Sequence, residues 1–176
     1  MYSHLVSFSY DPMGAAFAAR GFGLALERIG GDDPENDHIA IGEPLFWGIT
    51  LDELLYTKYD GKKPGPYALA RDADLNGGAV NGARLARNAI THGAVVTRAR
   101  EYQGGLSFPV TFPAKFGIPV WKTLPELLKV WTPDEQKYLP SQKASYANHF
   151  ASMPTKPPVA KLQAWLATAA QHGFVL

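Results

Sequence analysis

The sequence predicts an α+β fold, and three observations carry that prediction. Two short runs, HLVSFSY at 4–10, which alternates in polarity, and GAVVTRAR at 93–100, read as strands. Longer stretches such as PVAKLQAWLATAAQHG at 158–173 place apolar residues three and four apart, as one face of a helix requires. The two kinds of segment are mixed, with β concentrated in the second half, and lack the regular βαβ alternation of a dinucleotide fold. With 176 residues, 46% of them hydrophobic, the chain is long enough for one buried core and short for two, so 1–176 is read as a single domain.

Taken in order, the strand at 4–10 is followed by Asp11 and Pro12, an N-cap and a first-turn proline for a helix over MGAAFAARGFGLALERIGG. Gly14, Gly21 and Gly23 weaken that helix, and Gly30–Gly31 stop it. A polar loop leads to a short strand at 38–42, then Thr50 caps a brief helix LDELLYTKY, and DGKKPGP at 60–66 is loop. NGARLARNAI reads as a helix ending before His92–Gly93, and strands follow at 93–100 and 106–112. Prolines at 113, 119, 125, 133 and 140 leave room only for short regular pieces such as PELLKVW. SYANHFASMP at 145–154 is a strand candidate, and the last helix ends at Gly173.

Composition narrows the chemistry. The chain has no cysteine, which excludes a disulfide framework, a thiolate nucleophile and a zinc-thiolate site. The net charge of +1 is unevenly spread: residues 1–60 hold 3 Lys/Arg against 10 Asp/Glu, 61–100 hold 7 against 2, and 101–176 hold 7 against 4. A phosphorylated ligand or acidic partner on the later segments would suit this asymmetry, as would dispersed, solvated faces with no partner. Neither a secretory signal nor a membrane-length apolar run is present, so no membrane association is expected.

Motifs for familiar sites are incomplete. Asp72, Asp74, Asn76 and Gly77 take positions 1, 3, 5 and 6 of a calcium-binding loop, but position 12 falls on Ala83, so a turn followed by a helix start is the better reading. No histidine pair has metal-site spacing, and no dinucleotide, P-loop or GxSxG motif occurs. His4 and His149 stand out because both fall in expected strands among apolar neighbours. Nucleic-acid binding could use Lys62, Lys63, Arg71, Arg84, Arg87, Arg98 and Arg100 with Tyr67 and Tyr102, though the balanced overall charge makes it the weaker choice. In GGLSF at 104–108, two glycines let the backbone approach a ligand, and Ser107 just inside the strand can present its hydroxyl at a cleft mouth. The same residues also read as a turn entering an edge strand, with Ser107 facing solvent.

GGLSF at 104–108, VWKTLPELLKV at 120–130, NHFASMPTKP at 148–157 and the helix after them together resemble a family of bacterial type VI secretion effector toxins with an ADP-ribosyltransferase-like fold. The likeness covers roughly residues 93–170, with YSHLVSF similar only as a first strand. It implies two small, mostly antiparallel sheets with flanking helices and a cleft that binds NAD as substrate. Ser107 would support the nicotinamide ribose, Gly104 and Gly105 would allow close backbone approach, and Phe108 would belong to the same NAD-binding segment. His4 matches the first-strand position that bonds the adenosine ribose, and His149 matches the His of a His-aromatic pair; Ser107 and His149 are the catalytic candidates.

The resemblance further implies delivery from the producer's cytoplasm into a target cell's cytoplasm without a signal peptide, a secretion-apparatus partner and a cognate immunity protein. One departure concerns chemistry: a carboxylate normally stabilises the oxocarbenium-like state, yet after Ser107 the only acids are Glu126, Asp134 and Glu135, all in the proline-rich stretch. The chief rival is a non-enzymatic binding protein of the immunity or inhibitor type. An RNA-processing relative of the same fold is the third reading.

Overall fold

The computed structural model describes residues 12–29, 40–90, 93–99, 117–137 and 139–176. Among these the chain is mostly helical, with one two-stranded antiparallel sheet, a mixed α+β composition in that broad sense. The strands expected at 4–10 and 106–112 lie outside the described residues.

Helix α1 (Pro12–Glu27) starts on the expected proline, whose missing N–H is one the first turn leaves unpaired anyway. It buries Ala15, Ala18, Phe22, Ala25 and Leu26, a stripe at helical spacing. Helix α2 (Gly42–Tyr59) replaces two expectations at once. Ile41 and Gly42 belong to its start rather than to a strand, and Thr50 lies inside it, donating from Oγ1 to the Phe46 carbonyl at 2.8 Å rather than capping. The reason is periodicity: Ile41, Leu45, Gly48, Ile49 and Leu55 bury one continuous face across the supposed boundary. Helix α3 (Pro66–Ala73) arises where only loop was expected up to residue 66. Pro66 presets its first turn, and the Asp60 carboxylate accepts the backbone N–H groups of Tyr67 and Ala68 at 3.0 and 2.7 Å.

Helix α4 (Ala79–Ala89) and strand β1 (Val95–Ala99) fall where the sequence places them. Strand β2 (Gly117–Trp121) lies in the stretch where prolines were expected to prevent one. It runs antiparallel to β1, with Val95 opposite Trp121 and Pro119 opposite Thr97. On its other side the Trp121 N–H donates to the Met153 carbonyl at 2.9 Å, and the Ser152 N–H donates to the Trp121 carbonyl at 3.1 Å. Helix α5 (Leu124–Leu128) opens with a capping box, in which Thr123 Oγ1 accepts from the Glu126 N–H and the Glu126 carboxylate accepts from the Thr123 N–H. The short α6 (Pro133–Gln136) follows.

Residues 140–149 form helix α7 (Pro140–His149), which corrects the strand expected over 145–154. Tyr146 and Phe150, four apart, stack at a ring distance of 5.6 Å on one buried side, and no valine or isoleucine favours a strand here. The last helix, α8 (Lys156–Gln171), begins two residues before the expected Pro158 and buries Val159, Leu162, Trp165 and Ala169. Helices α1, α2, α4 and α8 enclose the core, and α7 lies closely on α4. That approach depends on Gly82, where a Cβ would stand 2.9 Å from the Tyr146 backbone. Ser145 Oγ secures it, accepting from the Gly82 N–H at 2.7 Å and donating to the Gly78 carbonyl at 2.6 Å.

Candidate functional site

His4, Gly104, Gly105, Ser107 and Phe108 lie outside the described residues, so His149 alone of the candidate site residues has a described setting. It occupies the last turn of α7, not a strand. Its Nδ1 is 3.1 Å from Lys161 Nζ on α8, and because an ammonium only donates, Nδ1 accepts and the ring proton sits on Nε2. Nε2 faces the turn before α4, 3.3 Å from where a Gly78 Cβ would stand. Burial, and then the charge of Lys161, hold the imidazole's pKa below its ordinary value, so it is neutral near pH 7.

The calcium-like loop performs a structural task. Asp74 Oδ1 accepts the N–H groups of Asn76 and Gly77 at 2.7 and 2.9 Å, while Asp72 pairs with Arg71 Nε at 2.9 Å. A Cβ at Gly77 would lie 2.2 Å from the Arg71 carbonyl oxygen, so the turn admits only glycine there. Among the described residues no three His, Asp or Glu side chains gather as metal ligands.

A buried polar network that sequence reading missed joins four helices. Asp52 on α2, 1% exposed, accepts from Tyr67 Oη at 2.7 Å, Arg71 Nη1 at 3.2 Å and Arg84 Nη2 at 2.7 Å. Trp165 Nε1 on α8 donates to Tyr67 Oη at 3.0 Å. Burial and the Asp52 charge raise the Tyr67 pKa, keeping the phenol protonated as the donor. Burial opposes the charge on Arg71, but Asp52 and Asp72 outweigh it and raise its pKa. Tyr67 and Arg71 are therefore core residues, not members of a nucleic-acid surface. The sequence signal was an acid on an apolar stripe: Asp52 follows Leu45, Gly48 and Ile49 at helical spacing and precedes Leu55.

Beside this network an apolar cleft of about 360 Å³ opens between α1, α2, α8 and the tail after α8. Its walls include Phe22 and Gly23 of α1, Leu51 and Leu55 of α2, Leu166 of α8, and Phe174. The tail wall is fastened to the end of α2. Tyr59 Oη accepts from the Val175 N–H at 2.9 Å and lies 3.1 and 3.0 Å from the carbonyls of Gly173 and Val175, and Lys58 Nζ donates to the Val175 carbonyl at 2.8 Å. Phe174 stands edge-on to Tyr59 and Tyr67, with ring distances of 5.1 and 5.3 Å. The volume lies within the range of small-molecule sites, roughly 300–1,000 Å³.

No family model, curated protein or solved structure matches the chain.

Proposed function

We propose that the protein acts by binding, and that its ligand sits in the cleft between α1, α2 and α8. The observation that carries this reading is the cleft itself: apolar walls from three helices, kept open to solvent, with a tail wall held by hydrogen bonds to Tyr59 and Lys58. Apolar surface that the described residues leave uncovered in this way supplies the drive for a ligand that covers it. Titration with 1-aminonaphthalene, neutral at pH 7 and brighter in apolar surroundings, tests it. Saturable binding of one molecule per chain is expected; emission that rises without saturation would refute it.

A second reading keeps the ADP-ribosyltransferase-like toxin, acting on NAD and held in check by an immunity protein. The observation favouring it is His149, a neutral imidazole oriented by Lys161 beside the Gly77–Gly78 turn. Its test is growth and intracellular NAD after controlled cytosolic expression, wild type beside Ser107→Ala and His149→Ala. Growth arrest relieved by either substitution supports the toxin; normal growth with steady NAD rejects it.

A further inference from the structure

Gly23 stands in the interior of α1 and lines the cleft. Glycine is less favourable there than alanine, because its backbone loses more freedom on folding. Two neighbouring helix glycines have a packing reason: a Cβ on Gly21 would stand 2.8 Å from the Trp47 ring, and one on Gly48 would stand 2.9 Å from Leu162. Among the described residues a Cβ on Gly23 would have no neighbour within 4 Å, and its φ lies outside the left-handed region. Neither a contact with a described residue nor backbone geometry calls for glycine at this position. What it leaves is room in the cleft.

We infer that the cleft takes a neutral amphiphile, a slender apolar chain or flat ring with one uncharged hydrogen-bonding end, and that Gly23 sets the depth to which it enters. This rests on the binding proposal and names its ligand class. Size comes from the volume: 360 Å³ holds on the order of a dozen non-hydrogen atoms at about 30 Å³ for each water-sized volume. Polarity comes from the lining, where among the described residues Gln163 is the one polar side chain and no charged side chain takes part. A primary amide both donates and accepts, so it suits an alcohol, ester or amide end equally. An ionised head group drawn between the apolar walls would lose hydration, and the Lys58 ammonium at the tail wall already donates to the Val175 carbonyl. Ala167 and Ala170 on the α8 side leave a chain room to enter.

The test uses the full chain, with 1-aminonaphthalene as reporter and 1-decanol and decanoate as competitors of equal chain length. Decanol is expected to displace the reporter with at least about tenfold lower Kd than decanoate. Gly23→Leu adds a side chain to the α1 wall of the cleft and is expected to weaken both reporter and decanol by about tenfold or more, while melting no lower than wild type because leucine is the better helix former. Ala167→Phe fills the cleft from the opposite wall and is expected to weaken decanol likewise, a check independent of α1. Equal or tighter binding of decanoate overturns the neutral-ligand class. Wild-type decanol affinity in both folded variants overturns the placement of the ligand. A wild-type dimer in light scattering that Gly23→Leu dissociates gives the cleft to a second copy of the chain and overturns the ligand class. Failure of wild type to bind the reporter at all refutes the underlying binding proposal instead.

Discussion

Replacing Asp52 with alanine removes the acceptor on which three donors from two other helices converge. The Arg71 side chain is only 6% exposed and would keep one ionic partner, Asp72, whereas Arg84, at 22%, can turn toward water. Breaking a buried ion pair by deleting one partner costs about 3–5 kcal/mol. The surviving Asp72 contact and the exposure of Arg84 place Asp52→Ala at the low end, about 3 kcal/mol, a large share of the roughly 5–15 kcal/mol that holds a domain folded. At about 2–4 °C per kcal/mol for a chain of this size, the melting temperature drops by about 6–12 °C. Asp52→Asn keeps an acceptor for Tyr67 and loses the charge, so about 1.5–3 kcal/mol is expected. Urea unfolding at neutral pH measures both, with an unchanged denaturant slope showing that the same structure unfolds. A loss below about 1 kcal/mol for Asp52→Ala would refute the view that this network ties α2, α3, α4 and α8 together.

Other outcomes follow from single contacts. Gly82→Ala raises helix propensity yet should destabilise by about 1–3 kcal/mol, because its methyl meets the Tyr146 backbone, whereas Gly23→Ala should stabilise by up to about 1 kcal/mol; paired urea titrations check the opposite signs. Thr123→Ala removes the capping box of α5 and should cost about 0.5–2 kcal/mol by the same assay. His149 has a folded pKa below its ordinary value, so its contribution is fully present above about pH 6.5. As the pH falls below that, the unfolded chain takes up a proton the folded chain refuses, and stability drops until the depressed folded pKa is passed. His149→Gln should remove that part of the acid loss, and Lys161→Met should shrink it by lifting one of the two causes; urea midpoints on either side of the window report both.

How much of this was legible in the sequence depended on whether a signal was local. Pro12, the spacing of Leu162, Trp165 and Ala169, and the β-branched run at 95–97 are local, and α1, α8 and β1 stand where they were expected. Helix α7 was misread because the mixed Ser, Tyr, Asn, His and Phe of 145–150 suit either period, and burial of Tyr146 and Phe150 against α4 and Trp121 decided it. Strand β2 was missed because Pro119 argues against a strand, an objection met by its place opposite β1. The functional picture was the least legible. Lys161 lies 12 positions from His149, and the cleft combines faces of three helices that only packing brings together. Gly23 had been read simply as a weakness of its helix.

Methyl-resolved NMR of the full chain titrated with 1-decanol tests the binding proposal most directly. The methyl groups of Leu51, Leu55 and Leu166 should shift together and saturate on one isotherm, while those of Leu127 and Val120, which do not line the cleft, stay in place. Saturating shifts confined to other methyls, or no shift at the three leucines up to the solubility of the alcohol, would contradict it.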